Sequence, residues 1–245
     1  MFRSLASKVL PGAMLAAVFM AGCVEIPSEG HTPPDYKSSV RVMYLDPAIT
    51  TATNIMVAEG PDFVGFSSNI FPSGSFGTVT SYSIVNSGGK QLFLPAPLDP
   101  DTSALTLATE LRGTLIVLPR PDPAMPRFLV ASEGRTFDPV GITGASRVRV
   151  VNAIARGAAD TLDVAVDVFR TSDSTSVVTA LAFGAFSDYL EVTADSTEGF
   201  YLTRTGSTTA LDSTAVMITG ASNTDYTLVG SGSADAATLD SFQNE

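Results

Sequence analysis

The sequence predicts an all-β fold, two tandem immunoglobulin-like β-sandwich domains, and three observations lead there. Short runs rich in Val, Ile, Thr, Tyr and Phe recur between turn residues along most of the 245-residue chain. Nothing beyond residue 30 forms an amphipathic helix of more than two turns. Landmarks also return at a fixed spacing. Val40-Arg41-Val42 comes back as Val148-Arg149-Val150, and Phe76-Gly77 with Tyr82 comes back as Phe183-Gly184 with Tyr189, at offsets of 108 and 107. A fainter echo sets Leu115-Ile116-Val117-Leu118 against Tyr226-Thr227-Leu228-Val229.

Residues 1–22 have the three parts of a secretory signal. Arg3 and Lys8 supply positive charge, Val9 to Met20 is an apolar run, and Ala21-Gly22 precede Cys23, the single cysteine. The run is too short for a permanent span, which needs roughly 20 apolar residues. Met20-Ala21-Gly22-Cys23 resembles a bacterial lipobox. That resemblance implies a lipid (diacylglyceryl and palmitate-type acyl chains) on Cys23 after cleavage before it, and acyl chains hold a protein stably on a membrane. Val24 stands where inner-membrane lipoproteins commonly carry Asp, so the outer membrane is favoured in a two-membrane cell. Residues 23–38, with Pro27, Pro33, Pro34 and several polar residues, read as a flexible tether, and the lone histidine, His31, lies in it as an inert linker residue.

The first sandwich is expected over 39–134, with strands near 40–45, 53–58, 79–85, 90–95, 104–109, 113–118 and 127–132. Asn86-Ser87-Gly88-Gly89 and Arg204-Thr205-Gly206-Ser207 read as tight turns between strands, since Gly accepts positive φ. Residues 135–144, rich in Gly and Pro, form the join, and the second sandwich follows over 145–245. Leu162-Asp163-Val164-Ala165-Val166-Asp167-Val168 alternates with period two, the mark of a half-buried strand with Asp163 and Asp167 outward as solubilising charges. Residues 40–45 and 147–152 should be equivalent first strands, and Phe76 and Phe183 should occupy equivalent places.

Val148-Arg149-Val150-Val151-Asn152-Ala153, followed by Asp163-Val164-Ala165-Val166 and by Ala182-Phe183-Gly184-Ala185-Phe186-Ser187-Asp188-Tyr189-Leu190-Glu191-Val192, is similar to the domain of unknown function 4397. The first copy keeps the Phe76 to Tyr82 motif but has Met43-Tyr44-Leu45-Asp46-Pro47 where that family tends to have a histidine-containing opening, and Asn152 stands where a His is common in the second. The resemblance implies a sandwich-like domain on secreted or surface-attached bacterial proteins and brings no catalytic residues.

Without its first 22 residues the chain has 12 Lys+Arg against 25 Asp+Glu, a formal charge of −13, which repels nucleic acid. Neither domain holds a histidine, and lipidation consumes the thiol, so a Ser-His-Asp relay and a His- or Cys-ligated metal have no components. Asp163 and Asp167 lie about 13 Å apart along a strand, beyond the roughly 5–9.5 Å of glycosidase carboxylates. Loops with Asp160, Asp173, Asp195 and Glu198, or Asp212 carry the oxygen ligands calcium takes, but in no spaced Asp-x-Asp-x-Asp pattern. Phe76, Tyr82, Phe183, Phe186 and Tyr189 read as shared core, with a carbohydrate or peptide platform as the alternative. Arg41 and Arg149 face away from their flanking valines, as exposed charges that discourage strand-to-strand aggregation or as carboxylate ligands. Catalytic, cofactor and metal residues are expected to be none. The expectation is a lipid-anchored envelope protein that binds an envelope protein or glycan without catalysis; the alternatives are a carboxylate-dependent hydrolase of envelope polysaccharide and an architectural spacer.

Overall fold

The computed structural model describes residues 36–59, 65, 67–68, 70–96, 98–119, 126–133, 146–158, 160, 164–193, 196–211, 216–219 and 224–244. The signal, Cys23, His31 and the join at 135–144 lie outside the described residues. The described chain is all-β, in two tandem sandwiches within one compact unit, Tyr36–Glu245.

The first lobe holds β1 (Lys37–Tyr44), β2 (Met56–Glu59), β3 (Ser83–Asn86), β4 (Gly88–Leu94), β5 (Asp99–Leu107), β6 (Arg112–Val117) and β7 (Phe128–Glu133). They form a sheet ordered β3-β1-β6-β7 and a second ordered β2-β4-β5. The second lobe holds β8 (Ser146–Asn152), β9 (Val166–Arg170), β10 (Ser176–Leu181), β11 (Leu190–Val192), β12 (Thr197–Arg204), β13 (Val216–Thr219), β14 (Asp225–Ser233) and β15 (Ala236–Asn244). Its sheets run β11-β8-β14-β15 and β10-β9-β12-β13. The β3-β1-β6-β7 and β11-β8-β14-β15 sheets match strand for strand: β1 pairs parallel with β6 and antiparallel with β3, as β8 does with β14 and β11. The extra strand β10 has as its counterpart in the first lobe the single bridge of Val57 to Ser67.

The Phe-Gly turns are equivalent at the level of single hydrogen bonds. Gly77 N donates to Tyr44 O (2.9 Å) and Gly184 N to Asn152 O (2.8 Å), while Thr80 N and Ser187 N reach Val42 O and Val150 O at 2.9 Å each. The hydroxyls of Thr80 and Ser187 accept in turn from Val42 N and Val150 N at 2.9 Å. Both glycines sit at positive φ, +80° and +72°, which a side chain would strain. A Phe-Gly landmark recurs because this turn closes each lobe's first strand.

Two expectations need correction. β1 begins at Lys37, inside the segment read as tether, because Lys37 and Ser38 register with Asn86 and Val85 of β3. Asn86-Ser87-Gly88-Gly89 is not a hairpin turn: β3 and β4 belong to opposite sheets, so the segment carries the chain across the sandwich. Arg204-Thr205-Gly206-Ser207 does turn tightly, with Ser207 N on Arg204 O at 2.8 Å and Gly206 at φ +78°.

The described residues form three cores. Val40, Val42, Tyr44, Leu115 and Val117 point into the first sandwich, and Val148, Val150, Phe200, Leu202 and Leu228 into the second. The alternate residues of the same strands and of the positions just past β1 and β8, Met43, Leu45, Ile116, Val151, Ala153 and Val229, form a third core between the lobes. Strands covered on both faces read as continuous apolar runs, which explains Leu115-Ile116-Val117-Leu118. Tyr44 is fully buried, and its hydroxyl donates to Pro72 O (2.9 Å) and Thr53 O (3.2 Å). Burial pushes that phenol up to about 12. Tyr44→Phe is expected to cost about 1–2 kcal/mol by leaving those carbonyls short of a donor, read as a lower midpoint in urea with an unchanged slope.

Candidate functional site

The polar positions that the strands' alternation places beside the third core form a seam. Arg41 leaves β1 between Val40 and Val42 on the face turned to the second lobe and is 8% exposed. Its Nε donates to Thr114 Oγ1 (2.9 Å), and Nη2 donates to Glu133 Oε1 (3.1 Å), to Asn244 Oδ1 and to Gln243 O (both 3.3 Å). The hydroxyls of Tyr82 and Thr114 also donate to the Glu133 carboxylate. Burial, then the hydrogen bond to Glu133, raises the Tyr82 phenol above its ordinary value. Arg41 and Arg112 lie over the Tyr82 ring at 5.2 and 4.4 Å.

The second lobe repeats this arrangement with one exchange. Arg149, 7% exposed, donates Nε to Thr227 Oγ1 (3.2 Å), and Arg149 and Arg147 lie over the Tyr189 ring at 5.3 and 4.5 Å. Burial raises the Tyr189 phenol. Registers place Glu133 opposite Arg112 and Asn244 opposite Asp225, so Asn244 holds the place of Glu133, and Arg149 Nη2 has no acceptor among the described residues. Glu133 and Asn244 both accept from one Arg41 nitrogen. A second carboxylate at 244 would face the first across a buried site, which explains the neutral amide.

Arg41 and Arg149 are therefore buried parts of the lobe interface, not exposed charges. The sequence showed which face they occupy; it did not show that the face is covered. Nor does the seam admit a ligand, because the space among Arg41, Thr114, Glu133, Thr227 and Asn244 has about 0 Å³ for a water-sized molecule.

The other candidates disperse. Phe183 is 9% exposed in the third core and Phe186 packs beside it, but Phe76 is 41% exposed, against the expectation of core. The difference lies in the neighbours: a Cβ on Gly184 would be 3.4 Å from Pro126 Cγ and 3.5 Å from Leu118 Cδ1 of the first lobe, whereas one on Gly77 would have nothing within 4 Å. Asp167 is 9% exposed and structural, correcting the outward, solubilising role. Its carboxylate accepts from Ala180 N (2.7 Å), Thr205 Oγ1 (3.0 Å) and Gly206 N (3.2 Å), and so holds Ala180 at φ +53°. Burial pushes its pKa up, but those three donors outweigh it and the net direction is down. Asp163, Asp195 and Asp212 lie outside the described residues. Asp160 pairs with Arg204 (2.5 Å), whose guanidinium, with Gly157 N–H, lowers its pKa. Asp173 is lowered by the backbone N–H and hydroxyl of Thr175, and Glu198 pairs with Arg170 (2.8 Å). Lys90, 1% exposed, is held by Glu59. Among the described residues no three His, Cys, Asp or Glu stand together as metal ligands.

Lowered carboxylates give a pH prediction. A folded pKa below the unfolded value means that the folded state binds fewer protons, so the contribution is complete above about pH 4 and is lost as pH falls through the folded pKa values. Melting temperature should fall below pH 4, and Asp167→Asn should flatten that decline.

The open grooves among the described residues include one of about 270 Å³ along Val177, Val178, Phe186 and Leu190 and one of about 250 Å³ along Ile49, Thr53, Pro95 and Leu98. Sequence reasoning missed one aromatic pair: Phe169 of β9 and Tyr201 of β12 stack at 5.3 Å and 15°. They occupy the positions alternate to the core residues Val168, Phe200 and Leu202, and are directly opposed in register. Two aromatics at outward positions of a period-two pattern were the available signal.

No family model matches the chain, and no curated relative does. Among solved structures, the chain is similar to the Bacillus anthracis TIE protein at 8% identity and a TM-score of 0.25, over 81% of this chain and 34% of that one. It is also similar to a candidate cell adhesion protein of Bacteroides uniformis at 9% identity and a TM-score of 0.24, over 86% of this chain and 98% of that one. The chain thus spans about a third of the TIE protein's length, and at these TM-scores neither likeness carries an argument about function.

Proposed function

We propose that this chain is a lipid-anchored cell-envelope protein whose two sandwiches, tandem copies of the domain of unknown function 4397, act as a non-catalytic binding module for an envelope glycan or protein. One observation carries the non-catalytic reading: the buried and half-buried charged groups suited to acid or base chemistry among the described residues are tied to protein partners. Glu133 is held by Arg41, Tyr82 and Thr114, Asp167 by Ala180 and Thr205, Asp160 by Arg204, and Lys90 by Glu59. A carboxylate mechanism needs one raised carboxyl beside an ordinary one in a cleft, whereas the shifts on Asp160, Asp167 and Asp173 are all downward. The core between the lobes favours a second reading, a stiff spacer on the membrane surface.

The anchor rests on Met20-Ala21-Gly22-Cys23. Cys23→Ser is expected to abolish labelling by a fatty-acid analogue and either stop processing or release the protein into the aqueous fraction; unchanged labelling would remove the lipoprotein reading. For the non-catalytic part, no turnover is expected on a panel of glycosides, esters and peptides, with or without divalent metal. Hydrolysis abolished by one Asp or Glu substitution in protein that stays folded would establish the hydrolase in its place.

A further inference from the structure

The geometry points to the outward face of the β10-β9-β12-β13 sheet as a binding platform for an uncharged polysaccharide, a proposal that rests on reading the chain as a binding module. The inward positions of this sheet, Val166, Val168, Phe200, Leu202 and Ile218, are fully committed to the second lobe's core. The alternate positions carry a different chemistry. Phe169 and Tyr201 stack across the β9–β12 pair, and both are half-buried. Met217, 56% exposed, lies beside them in register with Gly199. A Cβ on Gly199 would be 2.7 Å from Met217 Sδ and 2.2 Å from Thr171 Oγ1, so the missing side chain lets both lie across the strand and extend the apolar surface from Tyr201.

Charge identifies the occupant. The chain has a net charge of −11, yet the outward positions of these four strands hold a single charged residue, Asp167, which is 9% exposed and turned onto its three protein donors. A polyanion is repelled by the protein as a whole, and a cationic ligand finds no carboxylate here. What the face offers is aromatic and thioether surface bordered by the exposed residues Thr171, Ser176, Thr197 and Thr219, of which Thr197 and Thr219 share a hydrogen bond and Ser176 donates to Val178 O. The Tyr201 hydroxyl itself has no partner among the described residues. Flat C–H surface with hydroxyls at its rim is the complement of that pattern, and a neutral pyranose chain presents it. Phe76, 41% exposed on the other lobe, has no stacked second ring among the described residues and makes the natural control.

The test is native affinity electrophoresis of the full-length protein in detergent through gels containing hydroxyethylcellulose, xylan, galactomannan or dextran, with alginate as the anionic comparison. At least one neutral polymer is expected to retard the protein. Tyr201→Ala should weaken retardation by roughly tenfold. Tyr201→Phe, which keeps the ring, should weaken it less, and Phe76→Ala should leave it unchanged, with thermal denaturation confirming that each variant is folded. No retardation by any neutral polymer, equal retardation of a Phe169→Ala/Tyr201→Ala double variant, or retardation by alginate alone would overturn the proposal. A partner captured from native envelope equally by wild type and by Tyr201→Ala would also overturn the platform while leaving the binding-module reading standing.

Discussion

Replacing Arg41 with alanine is expected to cost about 3–5 kcal/mol, the range for removing one partner of a buried ion pair, and to lower the melting temperature by about 10 °C. The side chain of Glu133 is 1% exposed. Without Arg41 it loses the guanidinium that donates to it at 3.1 Å and keeps the Tyr82 and Thr114 hydroxyls as donors, with Arg112 opposite it in register. Arg41 also reaches Asn244 and Gln243 of the other lobe, so its loss removes polar contacts across the interface. Arg149→Ala, at the equivalent place, is expected to cost markedly less, because position 244 offers no carboxylate to strand. Calorimetry on the two variants checks the ordering. Equal losses would show that the stacked tyrosines, which both arginines share, govern stability and the ion pair does not.

Ile116→Asp should have the second large effect. Ile116 is 1% exposed and packs in the third core with Met43, Val151 and Val229. A carboxylate there has no partner, and burying an unpaired charge lies in the class of substitutions that cost more than about 4 kcal/mol. The damage should be specific in kind. The neighbouring Leu115 and Val117 point the other way, into the first lobe's own core, and the second lobe's core contains none of these residues. Wild-type protein is therefore expected to unfold in one cooperative thermal transition, because the lobes share a core, and the variant in two. A variant that still melts in a single transition at the wild-type temperature would show that the third core does not couple the lobes.

Much of this was legible from local pattern. Val40, Val42, Val148 and Val150 alternate with arginines at equal spacing, and that alone gave strands, a common face and a repeat. The Phe-Gly landmark gave the turn, since positive φ at Gly77 and Gly184 is a local demand. Asn86 to Gly89 misled because the same residues serve a hairpin and a crossing between sheets, and only the partner strands tell these apart. Phe76 and Phe183 occupy equivalent places by sequence and by hydrogen bonding, yet one is exposed and the other buried.

That contrast marks the boundary between what the sequence determined and what tertiary structure decided. Periodicity assigns side chains to one face of a strand or the other, because a strand alternates with period two whatever surrounds it. It does not say whether a face meets water, another lobe or a ligand. Arg41 and Arg149 were assigned to the correct face, but docking of the β11-β8-β14-β15 sheet onto the β3-β1-β6-β7 sheet turned that face into an interior. Phe169 and Tyr201 lie on the alternate, outward parity, and none of the described sheets docks there. Which faces are covered is a long-range outcome, fixed by how Met43, Ile116, Val151 and Val229 fit together across the lobes, and no window of neighbouring residues contains it.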